Sequence, residues 1–226
     1  MLGWTEQYYW PFLRISAMFL ASPIFSAPSL PVRVRIMLAV AITALIVPSL
    51  PTAPAVDVLG PAGILLAAQQ VIIGVAMGFL VQLVFSAVVI AGQALSMSMG
   101  LGFAMSVDPQ NGVQVPSVSQ LYMIFATLIF LEMNGHLVLI EFLVNSFTLL
   151  PVGLSGLRDN FALDVVLWAS QMFLGALLLV LPALTAVLLL NIAFGLIPPS
   201  LPHMYIFPVG LPLTLLVVVL FIFLTF

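Results

Sequence analysis

The polar side chains best suited to chemistry lie close together in an otherwise apolar stretch. Glu132, Asn134, His136 and Glu141 occur within ten residues, and a charge at mid-membrane costs at least about 2.5 kcal/mol. Glu132 and His136 are four residues apart and could share a helix face, although Gly135 between them weakens a helix. A proton relay and a metal site are open hypotheses, and hydrogen bonds between subunits are the interpretation that we favour.

Other catalytic chemistry has little support in this sequence. The H-E-x-x-H pattern of zinc peptidases is absent, and two histidines supply few metal ligands. The absence of cysteine excludes a thiolate metal site, a cysteine nucleophile and a disulfide framework. Neither a P-loop nor a G-x-S-x-G nucleophile motif occurs. The sequence therefore predicts a protein that is not an enzyme and holds no cofactor and no metal.

The segment from residue 97 to 116 is the most informative part of the chain. Its glycines, its prolines and the Asp108-Pro109 pair predict a loop. The segment also carries five large apolar side chains, which a loop in water does not normally expose. These are Met97, Met99, Leu101, Phe103 and Met105. We expect a protein-lined location, either as a flexible methionine-rich loop that closes a pore or as a re-entrant loop packed permanently between helices.

Gly74 and Gly78 form a G-x-x-x-G step in a long apolar run. Small residues four apart allow two helix backbones to approach closely, which favours helix association in lipid. The step is common in membrane helices, so generic packing is the simpler interpretation. Both interpretations require a close helix partner.

All of these residues belong to a chain that is unusually apolar. Of the 226 residues, 64% are hydrophobic and 5% are charged, whereas a soluble domain is about 45–50% apolar. No charged residue occurs from 58 to 107 or from 165 to 226, and about 20 apolar residues suffice to span a bilayer. The formal net charge of -3 comes from few groups, with no lysine, and favours no nucleic-acid partner. The sequence predicts an integral membrane protein in contact with lipid.

The amino end differs from a signal peptide. It carries Glu6 and several aromatic residues where a signal peptide carries positive charge before a short apolar core. The aromatic residues are Trp4, Tyr8, Tyr9 and Trp10. We expect this end to be retained, with its aromatic side chains at a membrane interface.

Proline and glycine clusters divide the chain into six apolar runs, for which helices are the expected structure because helices satisfy their own backbone groups in lipid. The runs are approximately 11–21, 32–47, 64–96, 119–150, 165–197 and 213–226. A continuous helix over 64–96 would be about 50 Å long, against a hydrocarbon core of about 30 Å. The long runs therefore either break, with Asn134-Gly135 and Pro182 as candidate sites, or extend beyond the lipid. Six ordinary tilted spans are the alternative.

Four stretches that follow one another in order carry a family resemblance. They are RISAMFLASPIFSAPSLPVRVRIMLAVAITALIVPSLP, MGLGFAMSVDPQNG, LIFLEMNGHLVLIEFLVNSFTLLPVG and LPALTAVLLLNIAFG. In these stretches the chain resembles FliR, the flagellar family of type III protein export gates. The NGH and SFTLLPVG stretches favour the flagellar family over its virulence-secretion homologue.

The resemblance implies an all-α integral membrane fold of long kinked helices and helical hairpins, like a FliP-type unit fused to a FliQ-type hairpin, in one membrane-embedded domain over residues 1–226. It implies a non-enzymatic core subunit that forms a channel with several copies of FliP and FliQ. FlhB and FlhA are further implied partners, and unfolded flagellar proteins are the exported substrates. The implied location is the bacterial inner membrane, in the flagellar basal body.

The resemblance also implies roles for particular residues. The family's loop that matches 97–116 plugs the pore, which gives a gating role to a set of eight residues. These are Met97, Met99, Gly100, Phe103, Met105, Asp108, Pro109 and Gly112. In the same assembly we expect buried polar contacts between helices at Glu132, Asn134, His136 and Glu141, and helix packing at Gly74 and Gly78.

Two rival functions remain open at this point. In an ion-coupled secondary transporter, Glu132, His136 and Glu141 would form the coupling site, but the sequence shows no pair of related halves. An intramembrane enzyme needs a nucleophile and a base within hydrogen-bond reach. The sequence offers no recognisable set of this kind.

Overall fold

A computed structural model describes most of the chain as helix. The described residues are 2–27, 30–50, 56–58, 60–100, 105–107, 114–153, 160–196, 214–217 and 219–220. The elements are α1 (Leu2–Ala21), α2 (Pro23–Ser26), α3 (Val32–Ile46), a 3-10 turn (Val47–Ser49), α4 (Pro61–Ser98), β1 (Met105–Val107), β2 (Gln114–Pro116), α5 (Ser117–Glu132), α6 (Gly135–Leu149) and α7 (Phe161–Gly195).

The helices fit a membrane protein by their length and composition. Among the described residues, three helical segments are long and apolar enough to cross a bilayer: Val32–Ser49, Pro61–Ser98 and Phe161–Ala193. Helices α5 and α6, which are bent by 66° at their junction, make a fourth crossing if the pair is one broken span. Helix α1 is not among these segments. The predicted all-α membrane fold is confirmed, with one short pair of strands added to it.

The long apolar runs behave differently from one another. The run 119–150 breaks at the predicted place, where Asn134 adopts left-handed backbone angles (φ 56°, ψ 29°) between α5 and α6. A Cβ atom added at Gly135 would lie 2.5 Å from the Phe130 ring, so glycine allows the tight return of the chain. By contrast, α4 is continuous, and α7 continues past Pro182. The candidate break at Pro182 is absent, and this run forms one long helix, the other alternative. Neighbouring groups in a membrane helix can satisfy the carbonyl that proline frees.

The chain divides into two compact units. Unit 1 contains α1 to α3, α4 up to Leu83, the carboxyl end of α5 from Phe130, α6, and α7 up to Ala169. Unit 2 contains the rest of α4, the two strands, α5 up to Ile129, and α7 from Ser170. The expectation of one domain over residues 1–226 stays a prediction.

The core of unit 1 joins α1, α3 and α6. Each helix contributes side chains spaced three or four residues apart, which places them on one helix face. The buried residues are Ile15, Met18, Phe19, Ala39, Ile42, Ile46, Leu143 and Phe147. Phe19 also stacks on Phe25 of α2, with ring centroids 4.4 Å apart.

The core of unit 2 joins α4, α5 and α7. Its buried residues are Val88, Ala91, Leu95, Met99, Val118, Tyr122, Val180, Ala183 and Val187. Small residues let the helices of this unit approach closely, since a Cβ atom at Gly92 would lie 2.5 Å from the Ser119 Cα atom. This packing fixes the carboxyl end of α4 from which the proposed gating segment departs.

Candidate functional site

The methionine-rich segment begins at the carboxyl end of α4. Met97 is 70% exposed, whereas Met99 is 8% exposed and belongs to the core of unit 2. Gly100 has a φ of 74°, and its N–H donates to the Met97 carbonyl at 3.1 Å. This left-handed glycine ends the helix. The Asn191 side-chain amide of α7 donates to the Ser98 carbonyl at 3.2 Å and satisfies one of the last acceptors of α4.

The middle of the segment contains a short β-hairpin instead of an entirely irregular loop. Strands β1 and β2 are antiparallel, and Met105 pairs with Pro116 at the base of the hairpin. Pro116 ends β2 where α5 begins, a strand-end position that suits proline because it has no N–H to donate. Four residues to which the family resemblance gives a plug role lie outside the described residues: Phe103, Asp108, Pro109 and Gly112.

The polar residues near the α5–α6 junction do not converge on one site. Glu132 ends α5 and His136 lies in the first turn of α6, beyond the 66° bend, so the two do not share a helix face. Glu132, Asn134 and Glu141 are exposed, while His136 is partly buried and its Nδ1 atom has no hydrogen-bond partner. In the part of the chain that is described, no three acidic or histidine side chains are grouped as metal ligands.

The G-x-x-x-G step of α4 lies against α1. A Cβ atom at Gly74 would collide with the Arg14 carbonyl oxygen, and one at Gly78 would lie 2.6 Å from the Ala21 Cβ atom. The two backbones are therefore close enough for only a hydrogen atom at these positions. This contact is made within unit 1 of the chain itself.

Arg14 forms the most connected polar site that is described. Its side chain is fully buried, and its Nε atom donates to Gln70 Oε1 of α4 at 2.8 Å. Its Nη1 atom donates to the Ser146 carbonyl at 3.0 Å and to Ser146 Oγ at 3.1 Å, and its Nη2 atom donates to the Leu150 carbonyl at 2.9 Å. The guanidinium carbon also lies 4.2 Å from the centre of the Phe147 ring. One side chain of α1 thus joins α4 to the end of α6.

The positive charge of Arg14 faces carbonyl groups at the carboxyl end of α6 and not a carboxylate. Burial lowers the pKa of Arg14 to about 10, because desolvation disfavours the charged form, and the guanidinium stays charged at neutral pH. Its acceptors Ser146 and Leu150 carry carbonyls of the last turn and the C-cap of α6. The carboxyl end of a helix bears a partial negative charge, which favours a cation there.

Sequence patterns alone missed the role of Arg14. The only local signal is a single arginine in the middle of an apolar helix. Its partners lie 56, 132 and 136 residues further along the chain, so no local periodicity connects them.

Comparison with known proteins assigns this arrangement of membrane helices to a class. The family model described as "Bacterial export proteins, family 1" matches residues 5–226, almost the entire chain. The class is therefore that of bacterial export proteins, which agrees with the apolar helices of the fold.

Individual relatives narrow this class. "Flagellar biosynthetic protein FliR" of Escherichia coli K12 is 43% identical over 216 residues, covering 96% of this chain and 82% of that relative. The protein of the same name from Pectobacterium carotovorum is 38% identical, over 96% of this chain and 83% of that relative. The one from Bacillus subtilis is 28% identical, over 91% of this chain and 80% of that relative. The chain belongs to the FliR family, and it is a membrane-embedded component of flagellar biosynthesis and protein export.

Proposed function

We propose that the chain is a non-enzymatic core subunit of the flagellar type III protein export gate. It lies in the bacterial inner membrane within the basal body and joins several copies of FliP and FliQ in a closed channel. FlhB and FlhA are its further partners, and unfolded flagellar proteins pass through the channel. The family match over residues 5–226 is the observation that carries this proposal.

The structure around residue 100 supports a closing role for segment 97–116. Met99 is held in the core of unit 2, and the next residue turns the chain through a left-handed glycine. At the other end, β2 leads directly into α5, whose first turn carries the buried residue Val118. Both ends of the segment are therefore anchored on packed helices. An insertion with two fixed ends can move between them without dissociating from the subunit.

The mechanism that we propose is an apolar seal. The large apolar side chains of the segment other than the buried Met99 narrow the channel at rest, and a hydrophobic constriction excludes water and ions by dewetting. Methionine is unbranched and flexible, so such a seal can repack around chains of different sequence. The segment moves aside when the export machinery opens the gate.

An ion-leak measurement tests the seal. Residues 101–113 are replaced by a Gly/Ser linker of equal length, which removes β1 and leaves Met99, Gly100 and the residues from Gln114 onward unchanged. We expect the gate to assemble and to conduct small ions at rest, because the linker lacks the apolar side chains of the seal. The readout is the ion permeability of membranes that contain the assembled complex.

The matched control is a Gly/Ser replacement of residues 154–159 in another connection of the chain. This control is expected to assemble and to stay as ion-tight as the parent. An assembled complex with the 101–113 replacement that also stays ion-tight would contradict the seal.

A further inference from the structure

Two buried nitrogen donors of unit 1 have no hydrogen-bond acceptor in the described part of the chain. They are the indole Nε1 atom of Trp10 in α1 and the side-chain amide Nε2 atom of Gln70 in α4. Both side chains are fully buried, at 0% exposure. A buried N–H group without an acceptor costs about 1–3 kcal/mol, and nearly all such groups in folded proteins are paired. These two donors therefore need an acceptor.

The packing of α1 against α4 places the two donors at the same level of the helix pair. Gly74 lies against the Arg14 carbonyl, and Gly78 lies against the Met18 carbonyl. The members of both pairs are 60 residues apart in sequence, so the two helices run parallel in a constant register. One turn earlier, the same register sets Trp10 opposite Gln70.

Arg14 fixes the orientation of the Gln70 side chain. The Gln70 Oε1 atom accepts a hydrogen bond from Arg14 Nε at 2.8 Å. An exchange of the amide oxygen and nitrogen would set two donors against each other, because a guanidinium nitrogen cannot accept. The Nε2 atom therefore occupies the other branch of the amide, where its hydrogens remain available to an acceptor other than Arg14.

The ligand that fits these donors is small and accepts hydrogen bonds. Because Trp10 and Gln70 are already fully buried within this chain, a side chain of another protein or a lipid headgroup does not reach them. A water molecule can accept from two N–H groups and donate its own hydrogens to nearby carbonyls, as internal waters commonly do. A halide ion fits less well, since it would lose its hydration while the Arg14 charge already faces the carbonyls of α6.

We propose that unit 1 binds one internal water molecule between Trp10 and Gln70. The water accepts from the indole N–H and the amide N–H, and it joins α1 to α4 one turn before Arg14 does. Successive turns of α1 are then attached to α4 by the water, by the guanidinium and by the close backbone contact at Gly78. This proposal concerns packing within the chain and is independent of the proposed channel.

An isosteric replacement of Trp10 tests the hydrogen bond of the indole. In the assembled complex, Trp10 is replaced by 3-benzothienylalanine, in which sulfur takes the place of the N–H group. We expect the thermal unfolding midpoint to fall by about 2 °C or more, because the bound water loses a donor. The same replacement at Trp168, which is 46% exposed on α7, is the control and should leave the midpoint unchanged.

The opposite result at position 10 would overturn the proposal. If the Trp10 N–H had no acceptor, its removal would leave the midpoint unchanged or raise it, because the desolvation penalty of the donor would disappear.

Gln70→Met tests whether the two donors share one ligand. Methionine keeps the length of the side chain and removes the Nε2 donor together with the acceptor of Arg14, so the readout is the coupling between positions and not the effect of this variant alone. In the Gln70→Met background, the Trp10 analogue should lower the midpoint by less than half as much, because the water has already lost one partner. Equal decreases in the two backgrounds would overturn a shared ligand.

A density map of the parent complex at about 2 Å resolution shows the ligand directly, even where Gln70→Met fails to assemble. We expect a single round peak at about 2.7–3.2 Å from both nitrogen atoms, in chloride buffer and in halide-free buffer alike. The lack of such a peak, or a protein carbonyl in its place, would overturn the proposal. A peak that disappears without halide would also overturn it and would identify an anion.

Discussion

At the scale of single residues, Arg14 stabilises unit 1 through a geometry that a guanidinium supplies. Three of its nitrogen atoms donate to acceptors on α4, on α6 and at the end of α6. The ammonium group of lysine has the same charge but is compact, and it cannot direct hydrogen bonds to the same three separated acceptors as a planar guanidinium. The site therefore depends on the shape of the side chain as well as on its charge.

Replacement of Arg14 by lysine should destabilise the protein. In Arg14→Lys we expect the free energy of unfolding to fall by about 3 kcal/mol or more, because acceptors that bonded a buried cation lose their donors. The measurement is the thermal unfolding midpoint of the purified complex. Arg33→Lys, at an exposed arginine of α3, is the control and should unfold like the parent. Equal midpoints for the two variants would show that the charge alone suffices.

Glu132 discriminates between the export gate and the ion-coupled transporter. The bend after α5 separates Glu132 from His136, which reduces the support for a shared coupling site. In Glu132→Gln we expect flagellar export to continue, because an amide can replace a carboxylate as a hydrogen-bond acceptor. The rate of substrate secretion into the medium is the readout. Abolished secretion with normal levels of the variant in the membrane would favour the transporter.

At the scale of elements, the close approach of α1 and α4 depends on glycine. We expect Gly78→Val to lower the free energy of unfolding by about 1–3 kcal/mol, because the new side chain would overlap Ala21 and the Met18 carbonyl. Gly195→Ala in α7 is the control, since a Cβ atom there meets nothing within 4 Å. The control should be unchanged or up to about 1 kcal/mol more stable. Chemical denaturation of both variants provides the comparison, and equal stability would reject close packing at Gly78.

Local sequence chemistry predicted the helices and one of their breaks. The Asn134-Gly135 pair marks a turn because both residue types tolerate left-handed or crowded backbone, and α5 ends just before this pair. Pro182 marked a candidate break, but α7 continues through it. The energetic cost of the missing proline N–H depends on the neighbouring groups and not on the proline alone. The hairpin of residues 105–107 and 114–116 was not predicted, since strands of three residues carry too little periodicity.

The candidate site was predictable only where its residues are neighbours in sequence. Glycine and methionine mark segment 97–116 by composition, but nothing local indicates that Met99 is buried while Met97 is exposed. The Arg14 site depends on tertiary contacts with residues of α4 and α6. Such contacts are decided by helix packing, which composition does not encode.

At the scale of the whole molecule, large apolar surfaces of the described helices remain uncovered. Within an 18-residue apolar stretch, 28% is buried in the segment Val32–Ser49 and 22% in the segment Phe161–Ala193. Exposed apolar surface of this extent requires lipid or other protein around it. Glu141 and Asn145 are also exposed on α6, and because a carboxylate in lipid is costly, we expect this surface to face protein or water.

The mass of the extracted particle tests this conclusion. After extraction in a mild detergent, we expect the chain in a complex far heavier than its own 24.3 kDa, because its polar and small-residue surfaces need protein partners. Light scattering coupled to size-exclusion chromatography measures this mass. A stable, folded particle that contains one chain alone would contradict the assembly.

The buried arginine also has a consequence for how the protein is made. Arg14 emerges from the ribosome early, but two of its acceptors, Ser146 and Leu150, follow 132 and 136 residues later. At about 5–20 residues per second, the first helix waits roughly 7 to 27 s for them during translation. Throughout that interval the insertion machinery, or water at the membrane surface, must accommodate a cation that the finished protein conceals. The hydrogen bonds between Arg14 and the carboxyl end of α6 can therefore form only after the sixth helix has been synthesised.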